Sequence, residues 1–128
     1  MNTLIGDIGN TITKICLINE KTYRVNKFFY LNTKDIHIKS IFVKKINKIL
    51  KGKKFIKVAL FSSVIPSLNK VLNKFFKKNY GINYYEISNK SINKIIKINI
   101  KNKNQVGSDR IANAVGAYKK YKSNCIIL

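Results

Sequence analysis

Residues 3–18 read TLIGDIGNTITKICLI, and this stretch decides the fold. Residues 3–6 are a short apolar run, and residues 12–18 are a second run rich in β-branched side chains. Gly9 and Asn10 lie between the two runs, and both residue types tolerate the backbone angles of a tight turn. The stretch therefore predicts a β-hairpin of two antiparallel strands.

Outward from the hairpin, the sequence predicts a third strand, a helix and a buried strand. Residues 23–31 are rich in aromatic side chains, which favours the third strand. Apolar residues at helical spacing follow and predict a helix that is capped by Asp35 and ends at Gly52. Residues 58–61 form a compact apolar strand that we expect to be buried on both faces.

A second helix and another strand follow in the same alternating order. Pro66 begins a helix with a regular apolar stripe, and Asn79 and Gly81 end it. Residues 82–87 predict the next strand. Residues 88–104 alternate Ile with Lys and Asn and contain no Gly or Pro. We expect them to form a surface excursion, with a short helix before an extended segment.

The end of the chain predicts a third helix and the start of a final strand. Ser108 caps the helix, and residues 124–128 begin the strand. The apolar face of the helix comprises Ile111, Ala114, Val115 and Tyr118. The resulting order, β-β-β-α-β-α-β-α-β, is typical of the α/β ribonuclease-H-like domain. Kinases and ATPases of the actin and sugar-kinase superfamily use two such domains, with the active site between them.

The net charge of +21 raises the possibility of nucleic-acid binding. Lys provides 24 of the 26 basic residues, however, and these lysines are spread along the whole chain. Sequence-specific recognition of nucleic-acid bases usually relies on the planar guanidinium group of Arg, and the only arginines in the sequence are Arg24 and Arg110. We therefore expect non-specific binding at low salt and no specific nucleic-acid site.

The remaining composition favours a cytoplasmic protein of one domain. The chain contains no apolar run long enough to span a membrane, and Gly6 and Asp7 interrupt any secretion signal. Cys16 and Cys125 are too few for a disulfide framework or a zinc site. Both lie among apolar residues, so we expect buried, reduced thiols.

The first motif that carries chemistry is Asp7-Ile8-Gly9-Asn10-Thr11 at the predicted turn. Small residues at a turn let backbone amides approach a phosphate, and Asn10, Thr11 and Thr13 add side-chain donors. The Asp7 carboxylate would repel phosphates unless a cation lay between them, so Mg²⁺ is implied, held partly through water. The alternative is an ordinary hairpin turn without a ligand.

The second motif is Gly107-Ser108-Asp109-Arg110 at the start of the third helix. Asp109 would act as a base that accepts a hydroxyl proton, and Arg110 would hold a carboxylate or a phosphate. The alternative is a capped helix in which Asp109 only complements the helix dipole.

Three segments in order resemble the N-terminal half of a type III pantothenate kinase. They are the first motif at residues 7–11, the segment FSSVIP at residues 61–66, and VGSDRIANAV at residues 106–115. The third segment matches the substrate segment of the family almost residue for residue. Residues 1–128 would then be the N-terminal ribonuclease-H-like kinase domain, ending at the first strand of a second domain.

The resemblance implies phosphorylation of the primary hydroxyl of pantothenate by ATP, the first step of coenzyme A synthesis. Asp109 would be the proton acceptor, and pantothenate would bind Ile100, Gly107, Ser108, Asp109 and Arg110. The ATP phosphates would bind Asp7, Ile8, Gly9, Asn10, Thr11, Ile12, Thr13 and Lys14. Family members are homodimers with the substrate pocket near the subunit interface. They need Mg²⁺ and a monovalent cation, K⁺ or NH₄⁺.

The chain departs from the family pattern in two respects. Ile100, Lys101, Asn102 and Lys103 replace the usual Tyr, acid, Asn and Pro, and the Tyr normally helps to hold pantothenate. Family members are also about twice as long, and their second phosphate motif, with the monovalent-cation ligand, would follow residue 128. We therefore expect the isolated chain to be inactive. The alternatives are a non-catalytic remnant or regulatory partner of the same fold, and a basic nucleic-acid-binding module.

Overall fold

The structure, a computed structural model, describes residues 1–51, 56–87, 95–102 and 105–127. Its strands are β1 (Asn2–Ile8), β2 (Ile12–Asn19), β3 (Val25–Asn32), β4 (Ile56–Ser63) and β5 (Asn83–Glu86). Its helices are α1 (Lys39–Leu50), α2 (Pro66–Tyr80) and α3 (Ser108–Tyr121), with a 3₁₀ turn at Thr33–Ile36. None of the helices in these ranges is long and apolar enough to cross a membrane.

The strands form one mixed sheet in the order β3-β2-β1-β4-β5. Strand β2 runs antiparallel to both β1 and β3, whereas β4 is parallel to β1 and β5 is parallel to β4. The hairpin and the α/β alternation therefore build a single sheet, and the predicted α/β fold class is confirmed. The carboxyl ends of β1 and β4 lie side by side, which brings the two ends of the candidate site together.

One face of the sheet carries the hydrophobic core. Because side chains alternate along a strand, Leu4 and Ile8 of β1 share this face with Phe61 of β4. Helices α1 and α2 cover the same face through Phe42 and Phe76, whose rings contact each other. The remaining members of the core are Ile15, Leu17, Leu31, Ile36, Ile46, Ile49, Ala59, Leu68, Leu72 and Ile82.

The opposite face of the sheet is more open. Phe28 and Tyr30 of β3 are 48% and 57% exposed on this face. In β4, Ala59 is fully buried, but Val58 and Leu60 on the open face are only half-buried. The prediction that β4 is buried on both faces is therefore wrong for one of them, because α1 and α2 both pack against the other face.

The predicted boundaries of α2 are confirmed, whereas the predicted cap of α1 is wrong. Pro66 is the first residue of α2, and Gly81 ends the helix with a left-handed φ of 64°. Asp35 lies inside the 3₁₀ turn, where its backbone carbonyl accepts from the amide of Ile38. Ile38 is the residue before α1 and makes no side-chain cap. Gly52, the predicted end of α1, lies outside the described residues.

The predicted final strand is not formed by residues 124–127. They have no regular secondary structure, and Ile126 is 91% exposed. A strand needs a hydrogen-bonded neighbour, and none of the described strands pairs with this segment. In the predicted excursion, residues 95–102 form neither helix nor strand. Residues 88–94, 103–104 and 128 lie outside the described part of the chain.

The two cysteines differ in exposure. Cys16, on β2, is half-buried, and burial raises the pKa of its thiol. Cys125 is exposed in the C-terminal segment, so the prediction of a buried thiol is wrong there. The reason is that the apolar neighbours of Cys125 do not enter the sheet.

We expect Cys125 to be alkylated several-fold faster than Cys16 at pH 8. Only the thiolate reacts, and a raised pKa leaves less thiolate at a given pH, while burial also limits access of the reagent. Limited labelling with iodoacetamide, followed by peptide mass spectrometry, measures the two rates in one sample. Unfolding in urea should make the rates similar, and equal rates in the folded protein would contradict the prediction.

Candidate functional site

The turn between β1 and β2 is held from one side by Thr33. The amide of Gly9 donates to the carbonyl of Ile12 at 3.1 Å, which closes the turn. The Thr33 amide donates to the Thr11 carbonyl at 2.8 Å, and the Thr33 hydroxyl donates to the Gly9 carbonyl at 2.7 Å. These bonds fix the backbone of the turn, while the side chains of Asn10 and Thr11 remain exposed.

Thr13 does not present its side chain to this exposed surface. It is fully buried, and its hydroxyl lies 2.9 Å from the Thr33 hydroxyl. Thr13 pairs with Ile8 and therefore shares the core face of the sheet. The expectation of a phosphate-donating Thr13 hydroxyl thus does not fit the structure, because strand register turns that side chain inward.

Asp7, Lys14 and Ser62 lie side by side on the open face. Asp7 pairs with Lys14 across the antiparallel hairpin and with Ser62 across the parallel pair of β1 and β4. Side chains of paired residues point to the same face of a sheet. Asp7 is half-buried and Lys14 is exposed. A carboxylate and an ammonium group therefore lie next to a serine hydroxyl at the end of β1.

The segment that follows β4 is tied to the end of β1. The amide of Val64 donates to the Ile8 carbonyl at 3.0 Å. The Ser63 hydroxyl donates to the Ile65 carbonyl at 3.0 Å and accepts from the Ile65 amide at 3.1 Å. These bonds turn the chain sharply into α2 and hold the two strand ends at a fixed separation.

Ser108 joins the second motif to this strand end. Its hydroxyl oxygen lies 3.0 Å from the Ser62 hydroxyl and accepts from the Ser63 amide at 3.1 Å. The predicted helix cap at Ser108 is therefore wrong. Gly107 is the residue before α3, and no side chain caps the helix there. The hydroxyl of Ser108 bonds to β4 instead.

Asp109 and Arg110 are exposed in the first turn of α3. The Asp109 carboxylate lies back over the α-carbon of Gly107, where a β-carbon would overlap one carboxylate oxygen. Ile111 in the same turn is 2% exposed, and α3 also contacts β4. The start of the helix is thus packed against the protein while its carboxylate and guanidinium face solvent.

A cavity of about 570 Å³ lies beside these exposed groups. Asp109, Arg110 and Ile100 line it. Further lining residues are Ile98, Val106 and Asn113. An apolar wall with one acid, Asp109, and two basic groups, Lys97 and Arg110, suits a small ligand that carries a hydroxyl and an anionic group.

The structure thus gathers most of the predicted site residues into two groups joined by Ser62. Asp7 and Lys14 lie at the β1 end, and residues 107–110 lie at the start of α3. Ile100 shares the cavity of Asp109. The sequence did not indicate Thr33, which belongs to no motif. The Ser62-Ser63 pair was part of a matching segment, but no chemical role was assigned to it.

The described residues contain no group of three or more His, Cys, Asp or Glu side chains that could hold a metal ion alone. Asp7 is a single, half-buried carboxylate beside an exposed turn. Mg²⁺ in nucleotide sites is commonly held by one or two carboxylates together with the phosphates of the substrate. The donor set therefore fits Mg²⁺ that arrives with a nucleotide, and it does not fit a permanent metal centre.

Comparison with known proteins places the chain in a family. Residues 3–128 match the family described as Type III pantothenate kinase. The chain belongs to the type III pantothenate kinase family. The resemblance carried by the three sequence segments is therefore confirmed.

Individual relatives agree with this family assignment. The type III pantothenate kinase of Pelagibacter ubique is 42% identical over 98% of this chain and 49% of its own length. That of Fervidobacterium nodosum is 31% identical over the same shares, 98% and 49%. The chain thus spans about half the length of these curated pantothenate kinases.

A solved structure of a putative sugar kinase from Cytophaga hutchinsonii overlaps 67% of this chain and 35% of its own. The TM-score is 0.47 at 15% sequence identity. This overlap is too partial to support an inference about the site.

Proposed function

We propose that residues 1–128 are the N-terminal domain of a kinase that transfers the terminal phosphoryl group of ATP to the primary hydroxyl of pantothenate. This reaction is the first step of coenzyme A biosynthesis. The observation that carries the proposal is the bonding of Ser108 to Ser62 and Ser63. This bonding connects β4, which pairs with β1 just before the turn at residues 9–11, with α3, which carries Asp109.

The turn at residues 9–11 supplies the phosphate site. Its backbone is fixed by Thr33, and its exposed position leaves room for a phosphate to approach. Asn10 and Thr11 add side-chain donors, and Lys14 adds positive charge from the open face. Asp7 would hold Mg²⁺ through the phosphates and water, and the ion would neutralise charge on the phosphoryl oxygens. Thr13 serves this site by supporting Thr33.

Asp109 accepts the proton of the attacking hydroxyl. It is exposed at the rim of the cavity, and its neighbour Arg110 carries the charge needed to hold the carboxylate of pantothenate. Ile100 contributes apolar surface where relatives use a Tyr. In phosphoryl transfer most of the rate comes from positioning and charge stabilisation, so one well-placed base suffices.

The proposal extends to the partners of the whole protein. It includes a homodimer with the pocket near the subunit interface and a monovalent cation, K⁺ or NH₄⁺, whose ligand we assign to none of residues 1–128. It also places the protein in the cytoplasm, where free thiols such as Cys16 and Cys125 stay reduced.

The direct test is pantothenate-dependent release of ADP by the gene product purified from its own cells, in parallel with a mass measurement of that product. We expect turnover that needs Mg²⁺ and rises with K⁺ or NH₄⁺. ADP release that does not respond to pantothenate would overturn the proposed substrate. Failure to bind ATP and pantothenate in titrations would favour a non-catalytic role.

We expect the 128-residue chain on its own to show little or no activity in the same assay. It spans about half the length of its relatives, and removing even one group that stabilises transition-state charge costs about a hundredfold or more. The native gene product and the 1–128 chain should be compared at equal concentrations of folded protein, checked by circular dichroism. Equal turnover by the two would contradict this expectation.

A further inference from the structure

We propose that Ser62 and Ser108 form a positioning pair that sets the separation between the phosphate turn and Asp109. The proposal rests on the proposed kinase function and adds to it the device that holds the two halves of the site together. Neither serine needs to touch the substrate for this role. Ser108, assigned to substrate binding by resemblance, is reassigned to positioning.

The first step of the argument is the rigidity of the strand end. Ser62 and Ser63 are both largely buried, and they pair with Asp7 and Ile8 in the parallel register of β4 and β1. The bond from the Val64 amide to the Ile8 carbonyl closes the same end. The position of Ser62 is therefore determined by the strand that leads into the phosphate turn.

The second step is the attachment of α3. The Ser108 hydroxyl has contacts to the Ser62 hydroxyl at 3.0 Å, the Ser63 amide at 3.1 Å and the Ser63 carbonyl at 3.4 Å. Burial of Ile111, three residues further along in the same turn, adds an apolar contact but does not specify the axial position of the helix. The hydrogen bonds from Ser108 supply that specification, because their geometry tolerates little displacement.

The third step is the effect on the reaction. Asp109 follows Ser108 directly, and its carboxylate lies over Gly107, so any shift of the helix start moves the base. A misplacement of about 1 Å between reacting groups can reduce a rate by about a hundredfold. The pair should therefore act on the rate of phosphoryl transfer more than on the binding of ATP.

The test uses Ser108→Ala, Ser108→Thr and Ser62→Ala in the native gene product, with Ser40→Ala on the exposed surface of α1 as the matched control. We expect Ser108→Ala to lower kcat by about ten- to a hundredfold. The KM for ATP should stay within about twofold, since the phosphate turn is intact. Ser108→Thr, which retains the hydroxyl, should recover part of the rate.

A second readout is independent of activity. Amides in the first turn of α3 should exchange with deuterium faster in Ser108→Ala, while those of β1 should be unchanged. The double variant of Ser62 and Ser108 should lose less than the product of the single effects, because both act through one contact.

The outcomes separate this inference from the proposed function. A wild-type protein that does not phosphorylate pantothenate would overturn both. An active wild type with an unchanged kcat in Ser108→Ala would overturn the positioning role alone. A loss of kcat that only follows the loss of folded protein, with no recovery in Ser108→Thr, would also overturn it.

Discussion

Replacing Asp109 by Asn is expected to lower kcat by about a hundredfold to ten-thousandfold in the native gene product, because a positioned general base contributes a factor of that size. The amide has nearly the same shape as the carboxylate and cannot accept the hydroxyl proton. Asp109 is exposed, so its replacement should leave the fold and the melting temperature nearly unchanged. Steady-state kinetics with ATP and pantothenate, together with thermal melting, measure both effects.

A matched control removes a negative charge elsewhere. Glu20 accepts a hydrogen bond from Thr3 at the opposite end of the β1–β2 pair, so Glu20→Gln should retain activity. Near-normal turnover by Asp109→Asn would contradict the assignment of Asp109 as the general base. A loss of similar size in Glu20→Gln would show that overall charge, and not Asp109 itself, governs the rate.

The Gly6→Ala variant is expected to cause the largest loss of stability, about 1–3 kcal/mol of the free energy of unfolding or more. A β-carbon at Gly6 would overlap the ring of Phe61, its partner on β4. Phe61 is fully buried and packs against Phe76 and Tyr84, so its ring has nowhere to move. Urea or thermal unfolding followed by circular dichroism measures the change.

Gly116→Ala is the matched control for this variant. Gly116 is exposed in α3, and a β-carbon there would meet no atom within 4 Å beyond its chain neighbours and the backbone of its own helix. Alanine favours a helix interior over glycine by about 0.8–1.0 kcal/mol, so this variant should be more stable than the wild type. The two changes have the same chemistry and opposite expected signs. Equal stability of Gly6→Ala and the wild type would contradict the close packing of β1 on Phe61.

The sequence predicted the α/β order because its signals were local. Gly9-Asn10 marks a turn, Pro66 marks a helix start and Gly81 marks a helix end, and each acts through its own backbone. The final strand was predicted wrongly for a different reason. Residues 124–127 have strand-like composition, but a strand also depends on a partner, which composition does not reveal.

The same distinction between local signals and tertiary partners explains which parts of the candidate site could be predicted from the sequence. Asp7 and Asp109 stood out because acids are scarce and lie next to small residues. The bonding of Ser108 could not be predicted, because a hydroxyl at a helix start has several possible acceptors and donors. Only the tertiary structure shows that Ser62 and Ser63 are nearest. Thr13 was misplaced because the face of a strand residue follows from register, and Thr33 gave no signal.

The hydrogen bonds of the Thr13 and Thr33 hydroxyls behind the turn at residues 9–11 have a fixed donor order. The Gly9 carbonyl can only accept, so the single proton of the Thr33 hydroxyl points at it. The Thr13 hydroxyl must then donate to Thr33. These two bonds link the Gly9 carbonyl to Thr13, the buried second residue of β2, and to Thr33 at the start of the segment leading to α1. A ligand that binds at the turn would therefore change the hydrogen bonds of Thr13 and Thr33 as well.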